Sequence, residues 1–188
     1  MLNLIFFGAP GAGKGTQAKK VCEKFNLIHL STGDILRAKI ADKTEMGILA
    51  KSYMDKGELV PDDVILKMVE NVIKSHPKSN GFIFDGFPRT IPQAEAFDIM
   101  LANLNMALSD VIHLKVDKDE LIERLKKRAE LENRKDDSNI SIIENRIVQY
   151  IEKTAPVKEY YSNQGKLRKV EGIGDVDEIF EKVVEAIS

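Results

Sequence analysis

The feature that most constrains this chain lies at its start, where an apolar run, Leu2 to Phe7, passes directly into "GAPGAGKGTQ", Gly8 to Gln17. A helix stripe of Ala18, Val21, Cys22 and Phe25 follows. Strand, glycine loop and amphipathic helix in that order form the context of a phosphate-binding P-loop. Glycines let the loop curl with its backbone N–H groups inward, the helix N-terminus adds positive potential, and Lys14 reaches toward the outer phosphates. One position departs from the usual pattern. A Ser or Thr normally follows the lysine and binds magnesium, but here Gly15 follows Lys14 and the threonine comes at position 16. No direct protein ligand to Mg2+ is therefore expected; phosphate oxygens and waters would hold the ion that accompanies the nucleotide. Carboxylates must orient those waters. Asp85, which ends the apolar run "GFIFD", is the first candidate, with capping of the next turn as its alternative role. Asp34, in "STGDILR", is the second, with stabilisation of a helix N-terminus as its alternative.

Strand-like runs recur at Leu27 to Leu30, Phe82 to Phe84, Val111 to Val116 and Leu167 to Val170, with helical periodicity between them. That alternation predicts an α/β fold, a parallel sheet flanked by helices. The last helix carries Val176, Ile179, Phe180, Val183, Val184 and Ile187 on one stripe. Between Ser31 and Pro61 no strand is expected, only helical patterns over Asp34 to Ile40 and Glu45 to Lys56, ending at Gly57. With 188 residues, a single domain is expected.

Composition narrows the classes of partner. A formal net charge of −2 argues against broad nucleic-acid or anionic-membrane binding, so any anion site must be local. Leu2 to Phe7 is too short for a spanning helix or a signal segment and lacks a basic flank. A single cysteine, Cys22, excludes an internal disulfide or a cysteine zinc site and suits a cytoplasmic location. The histidines, His29, His76 and His113, stand singly without metal or catalytic spacing and read as packing or loop residues. No nucleophile constellation is legible, which favours direct transfer.

Several arginines remain to be matched with anions. Arg89 stands in the rigid turn "DGFPRT", placed to meet a phosphate through its fork of donors. Arg124 and Arg128 lie four apart on one helix face, where like charges repel unless an anion or an acid such as Glu120 lies between them. Arg146 sits at the edge of the stripe Ile143, Ile147, Tyr150 and Ile151, a boundary that calls for a partner.

Together "GAPGAGKGTQ", "STGDILR", "GELVPD", "GFIFDGFPRTIPQA", "RKDD" and "TAPVKEYY" resemble the adenylate kinase family over nearly the whole chain. The glycine after the lysine is itself a trait of nucleoside monophosphate kinases. The resemblance implies a P-loop NTPase-type sheet with a small helical AMP-binding insertion at 31–60 and a short lid at 127–137. The core would be 1–30, 61–126 and 138–188. It implies ATP at Gly11, Ala12, Gly13, Lys14, Gly15 and Thr16, with Arg124, Arg128 and the backbone of Gly174. For AMP it implies Thr32, Arg37, Glu58, Leu59, Val60, Gly86, Phe87, Pro88, Arg89 and Gln93. Arg134 and Arg146 would converge on the phosphates from the lid side, and Asp136 and Asp137 match lid residues. The implied chemistry is ATP + AMP ⇌ 2 ADP in a monomer, carried by Lys14, Asp85, Arg89, Arg128, Arg134 and Arg146. A UMP/CMP kinase shares the loop and the short lid, but typically has a smaller residue and asparagine where this chain has Thr32 and Gln93. A P-loop switch is the rival from another class, yet neither D-x-x-G nor N-K-x-D occurs.

Overall fold

The computed structural model describes residues 1–132 and 139–187. In chain order these form β1 (Leu2–Phe7), α1 (Lys14–Phe25), β2 (Ile28–Ser31), α2 (Thr32–Ala41), α3 (Glu45–Met54), α4 (Asp62–Ser75) and β3 (Gly81–Asp85). Then come α5 (Ile91–Asn103), β4 (Asp110–Lys115), α6 (Lys118–Glu132), α7 (Ile140–Gln149), a π-helical turn (Tyr150–Thr154), α8 (Ala155–Asn163), β5 (Leu167–Glu171) and α9 (Val176–Ile187). The five strands make one parallel sheet in the order β2-β3-β1-β4-β5.

Strand composition explains that order. β1 is uncharged and almost wholly buried, as a central strand with both faces covered must be. Its one polar side chain, Asn3, is satisfied: Nδ2 donates to Ala107 O at 2.9 Å and Oδ1 accepts from the Phe82 N–H at 3.2 Å. β5, at an edge, exposes Arg168 and Lys169, charges that discourage pairing with a further strand. Alternation along β1 divides the core between two faces. Ile5 and Phe7 join the cluster with α4, α5 and α8, whereas Leu4 and Phe6 join the one with α1 and α9. Burial on this scale supplies most of the driving force for folding.

From β1 the chain leaves through α1 toward β2, and from β3 it leaves through α5 toward β4, on the opposite face. The carboxyl ends of β1 and β3 therefore lie at a topological switch point, where ligands bind in sheets of this kind.

α2 and α3 pack against each other at Gly47. A Cβ there would lie 1.9 Å from Lys39 O and 2.7 Å from Ile40 N, so only glycine permits the approach. Gly47→Ala should force the helices apart at a cost of about 2 kcal/mol, outweighing alanine's better helix propensity. Thermal unfolding should then move down by roughly 4–8 °C. An unchanged midpoint would refute the close contact.

Candidate active site

A cavity of about 1070 Å³ opens at the switch point. One wall is the loop from β1 into α1. Gly11 and Gly13 hold φ of +87° and +88°, a region costly for any other residue. A Cβ on Gly11 would also meet Leu121 O at 2.9 Å, so α6 closes directly over the loop. Ala12, Lys14, Gly15 and Thr16 line the same wall, while Arg124 and Arg128 from α6 and Gly174 after β5 complete that side. The opposite side is lined by Thr32 and Arg37 from α2, Glu58, Leu59 and Val60, and the turn Gly86, Phe87, Pro88 and Arg89. Gln93 from α5 and Arg146 from α7 also reach the cavity. Arg134, Asp136 and Asp137 fall outside the described residues.

Local bonds fix these side chains. Lys14 Nζ donates to Gly8 O at 2.9 Å and Ala9 O at 3.0 Å, which folds the ammonium back over the loop. Burial pushes its pKa down to about 8; Asp85 opposes that effect, while the positive charges of Arg89, Arg128 and Arg146 reinforce it. Arg89 Nε donates to Gly86 O at 2.7 Å, and the same carbonyl accepts from Thr32 Oγ1 at 3.0 Å. Arg124 Nε meets Glu120 Oε1 at 2.6 Å, so the expected acid does take up part of the like-charge repulsion. Arg146 packs under Gly57, whose neighbour Lys56 accepts at its carbonyl from Asn145 Nδ2 at 2.5 Å.

The two magnesium candidates differ. Asp85 is 9 % exposed and belongs to the charge cluster. Burial alone would raise its pKa, but the His29 hydrogen bond and the charges of Lys14 and Arg89 hold it below the usual carboxylate range. A Cβ on Gly15 would come 3.4 Å from Asp85 Oδ2, so the carboxylate borders the position where an ordinary P-loop carries its hydroxyl. Asp34 lines the cavity too, but its Oδ1 accepts from Arg37 Nη2 at 2.5 Å in the first turn of α2. Among the described residues, no group of three or more His, Cys, Asp and Glu could hold a metal ion.

Two features escaped the sequence reading. His29 Nε2 lies 3.3 Å from Asp85 Oδ2, so this histidine is more than strand packing. The pairing comes from β2 lying beside β3, and strand order is not written in the spacing of the residues. The π-helical turn adds Tyr150 and Thr154 to the cavity wall beside Gln149, consistent with the frequent placement of such turns at functional sites. Of the other histidines, His76 is exposed and His113 packs edge-on against Phe7 at 5.7 Å, as expected.

The adenylate kinase family model matches residues 6–166. The chain belongs to the adenylate kinase family. Relatives called adenylate kinase agree over its whole length. One from Flavobacterium psychrophilum is 48% identical across 100% of this chain and 99% of its own. Others from Bacteroides fragilis and Parabacteroides distasonis are 46% and 45% identical, each covered over 98% of its length. As an adenylate kinase family member the protein is a phosphotransferase acting on adenine nucleotides, which matches a cavity lined by Lys14, Arg37, Arg89, Arg124, Arg128 and Arg146. Among the described residues, no helix is long and apolar enough to cross a membrane.

Proposed function

We propose that the protein catalyses ATP + AMP ⇌ 2 ADP by direct in-line transfer, as a monomer in the cytoplasm. The observation that carries this reading is that Lys14, Arg89, Arg128 and Arg146 line one cavity, where burial first and then the three guanidinium charges lower the Lys14 pKa. Like charges held in one cavity repel, and a chain of phosphates among them relieves that repulsion. The P-loop with Arg124, Arg128 and the backbone of Gly174 takes ATP. Thr32, Arg37, Glu58 to Val60, Gly86 to Arg89 and Gln93 take AMP within a 31–60 segment and its surroundings. Arg146, joined by Arg134 from a 127–137 lid, spans the junction.

In this arrangement an oxygen of the AMP phosphate attacks the γ-phosphorus as the bond to the β-bridging oxygen breaks. Lys14 and the arginines hold the two polyanions end to end and balance charge on the transferring group, the main work in phosphoryl transfer. The residues present fit an ion held by phosphate and water: Asp85, and at greater remove Asp34, would orient its waters, and Gly15 leaves room for them. When bound, magnesium would supply positive charge against the charge that develops on the phosphates. Closure over both nucleotides excludes water that would otherwise hydrolyse ATP.

The test is ADP formation from ATP and magnesium with AMP, CMP, UMP and GMP supplied in turn. AMP-dependent ADP production is expected. Preference for a pyrimidine acceptor would make the protein a UMP/CMP kinase, and slow acceptor-independent hydrolysis would favour a nucleotide switch.

A further inference from the structure

We propose that Asp62 is a positioning residue that sets base selectivity on the acceptor side by fixing which way the Gln93 carboxamide points; the inference rests on the reading of AMP as acceptor. Gln93 is 2 % exposed and lines the cavity, whereas Asp62, in the first turn of α4, forms no part of its wall. Gln93 Nε2 donates to Asp62 Oδ1 at 2.7 Å, and Gln93 Oε1 accepts from the Arg89 backbone N–H at 2.7 Å. Thr90 steadies the carboxylate: its Oγ1 donates to Asp62 Oδ2 at 3.1 Å and accepts from the Gln93 N–H at 3.2 Å.

A carboxamide is nearly isosteric with its flipped form, and the two forms read different bases. With its oxygen facing an amino group and its N–H facing a ring nitrogen, it complements adenine. Turned over, it complements a six-oxo purine, whose oxygen accepts and whose ring N–H donates. Shape alone cannot choose between them, so the partners behind the amide must. A carboxylate only accepts and therefore demands the NH2 end; a backbone N–H only donates and therefore demands the oxygen. Asp62 and Arg89 impose the same sense from the two ends, leaving Gln93 one N–H and one lone pair for a base.

Asp62→Asn keeps the size of the side chain but offers either a donor or an acceptor to Gln93. Steady-state kinetics with AMP and inosine monophosphate at saturating ATP should show the AMP-to-IMP ratio in kcat/KM falling about ten-fold. The two acceptor KM values should carry the change, with the ATP KM unmoved. A purely structural Asp62 would lower thermal stability and leave that ratio within two-fold of wild type, which overturns the proposal. Gln93→Met provides a check independent of whether the Asp62→Asn variant folds. It should lose the same discrimination, and if it keeps the wild-type ratio, the base is not read at Gln93 and the proposal fails. Wild type without AMP-dependent turnover would take down the functional reading and this inference together. Wild type that turns over AMP, paired with an unchanged ratio in the variant, removes the inference alone.

Discussion

Lys14→Met should lower kcat/KM for ADP formation by about three orders of magnitude while leaving the protein folded. The half-buried ammonium is removed from bulk water, bonded to two loop carbonyls and faced by three arginines, so folding already disfavours its charge. A phosphate chain reverses that balance by bringing negative charge into the cluster. Because the folded pKa of about 8 lies below the ordinary 10.5, the folded state binds fewer protons than the unfolded state between those values. Wild type should therefore gain stability as pH rises from about 8 toward 10.5, and the methionine variant should lack that component. Chemical denaturation across this range, paired with the kinetics, checks both halves. Near-normal turnover by a folded Lys14→Met variant would remove Lys14 from the reaction.

Arg89→Ala is the second large loss expected, about two to three orders of magnitude in kcat/KM. Its burden should fall on kcat and the AMP KM, with little change for ATP. The guanidinium is pinned through Nε to Gly86 O, in the same turn that anchors Thr32, so its remaining donors are oriented before a ligand arrives. Arg89→Lys separates charge from geometry. Lysine keeps the charge but not the planar fork or the Nε bond, and it should recover only a small part of the activity. Full recovery would mean that charge alone matters at this position.

The P-loop wall was legible because its chemistry is local: strand, glycines, lysine and helix follow one another within Leu2 to Phe25. Most of the sheet was legible for a similar reason, since β1, β3 and the centre of β4 are apolar runs bounded by polar turns. What the sequence withheld depends on distant neighbours. His29 meets Asp85 through the placement of β2 beside β3, and Gln93 takes its orientation from a carboxylate 31 positions earlier. The π-helical turn at Tyr150 changes the phase of a helix whose periodicity gave no warning of it. Arg124 shows the intermediate case, because Glu120 was visible one turn away but its bond became certain only in three dimensions.

The contact between position 15 and Asp85 bears on how such a site can evolve. A Cβ at 15 would stand 3.4 Å from Asp85 Oδ2, an ordinary van der Waals contact. A serine hydroxyl donates and a carboxylate accepts, so the two side chains would attract, and P-loop sites that hold magnesium through both groups rely on that compatibility. Glycine at 15 therefore spares the Asp85 carboxylate a competing donor and leaves its acceptor sites for water, so the same aspartate suits a lineage with either residue after the lysine.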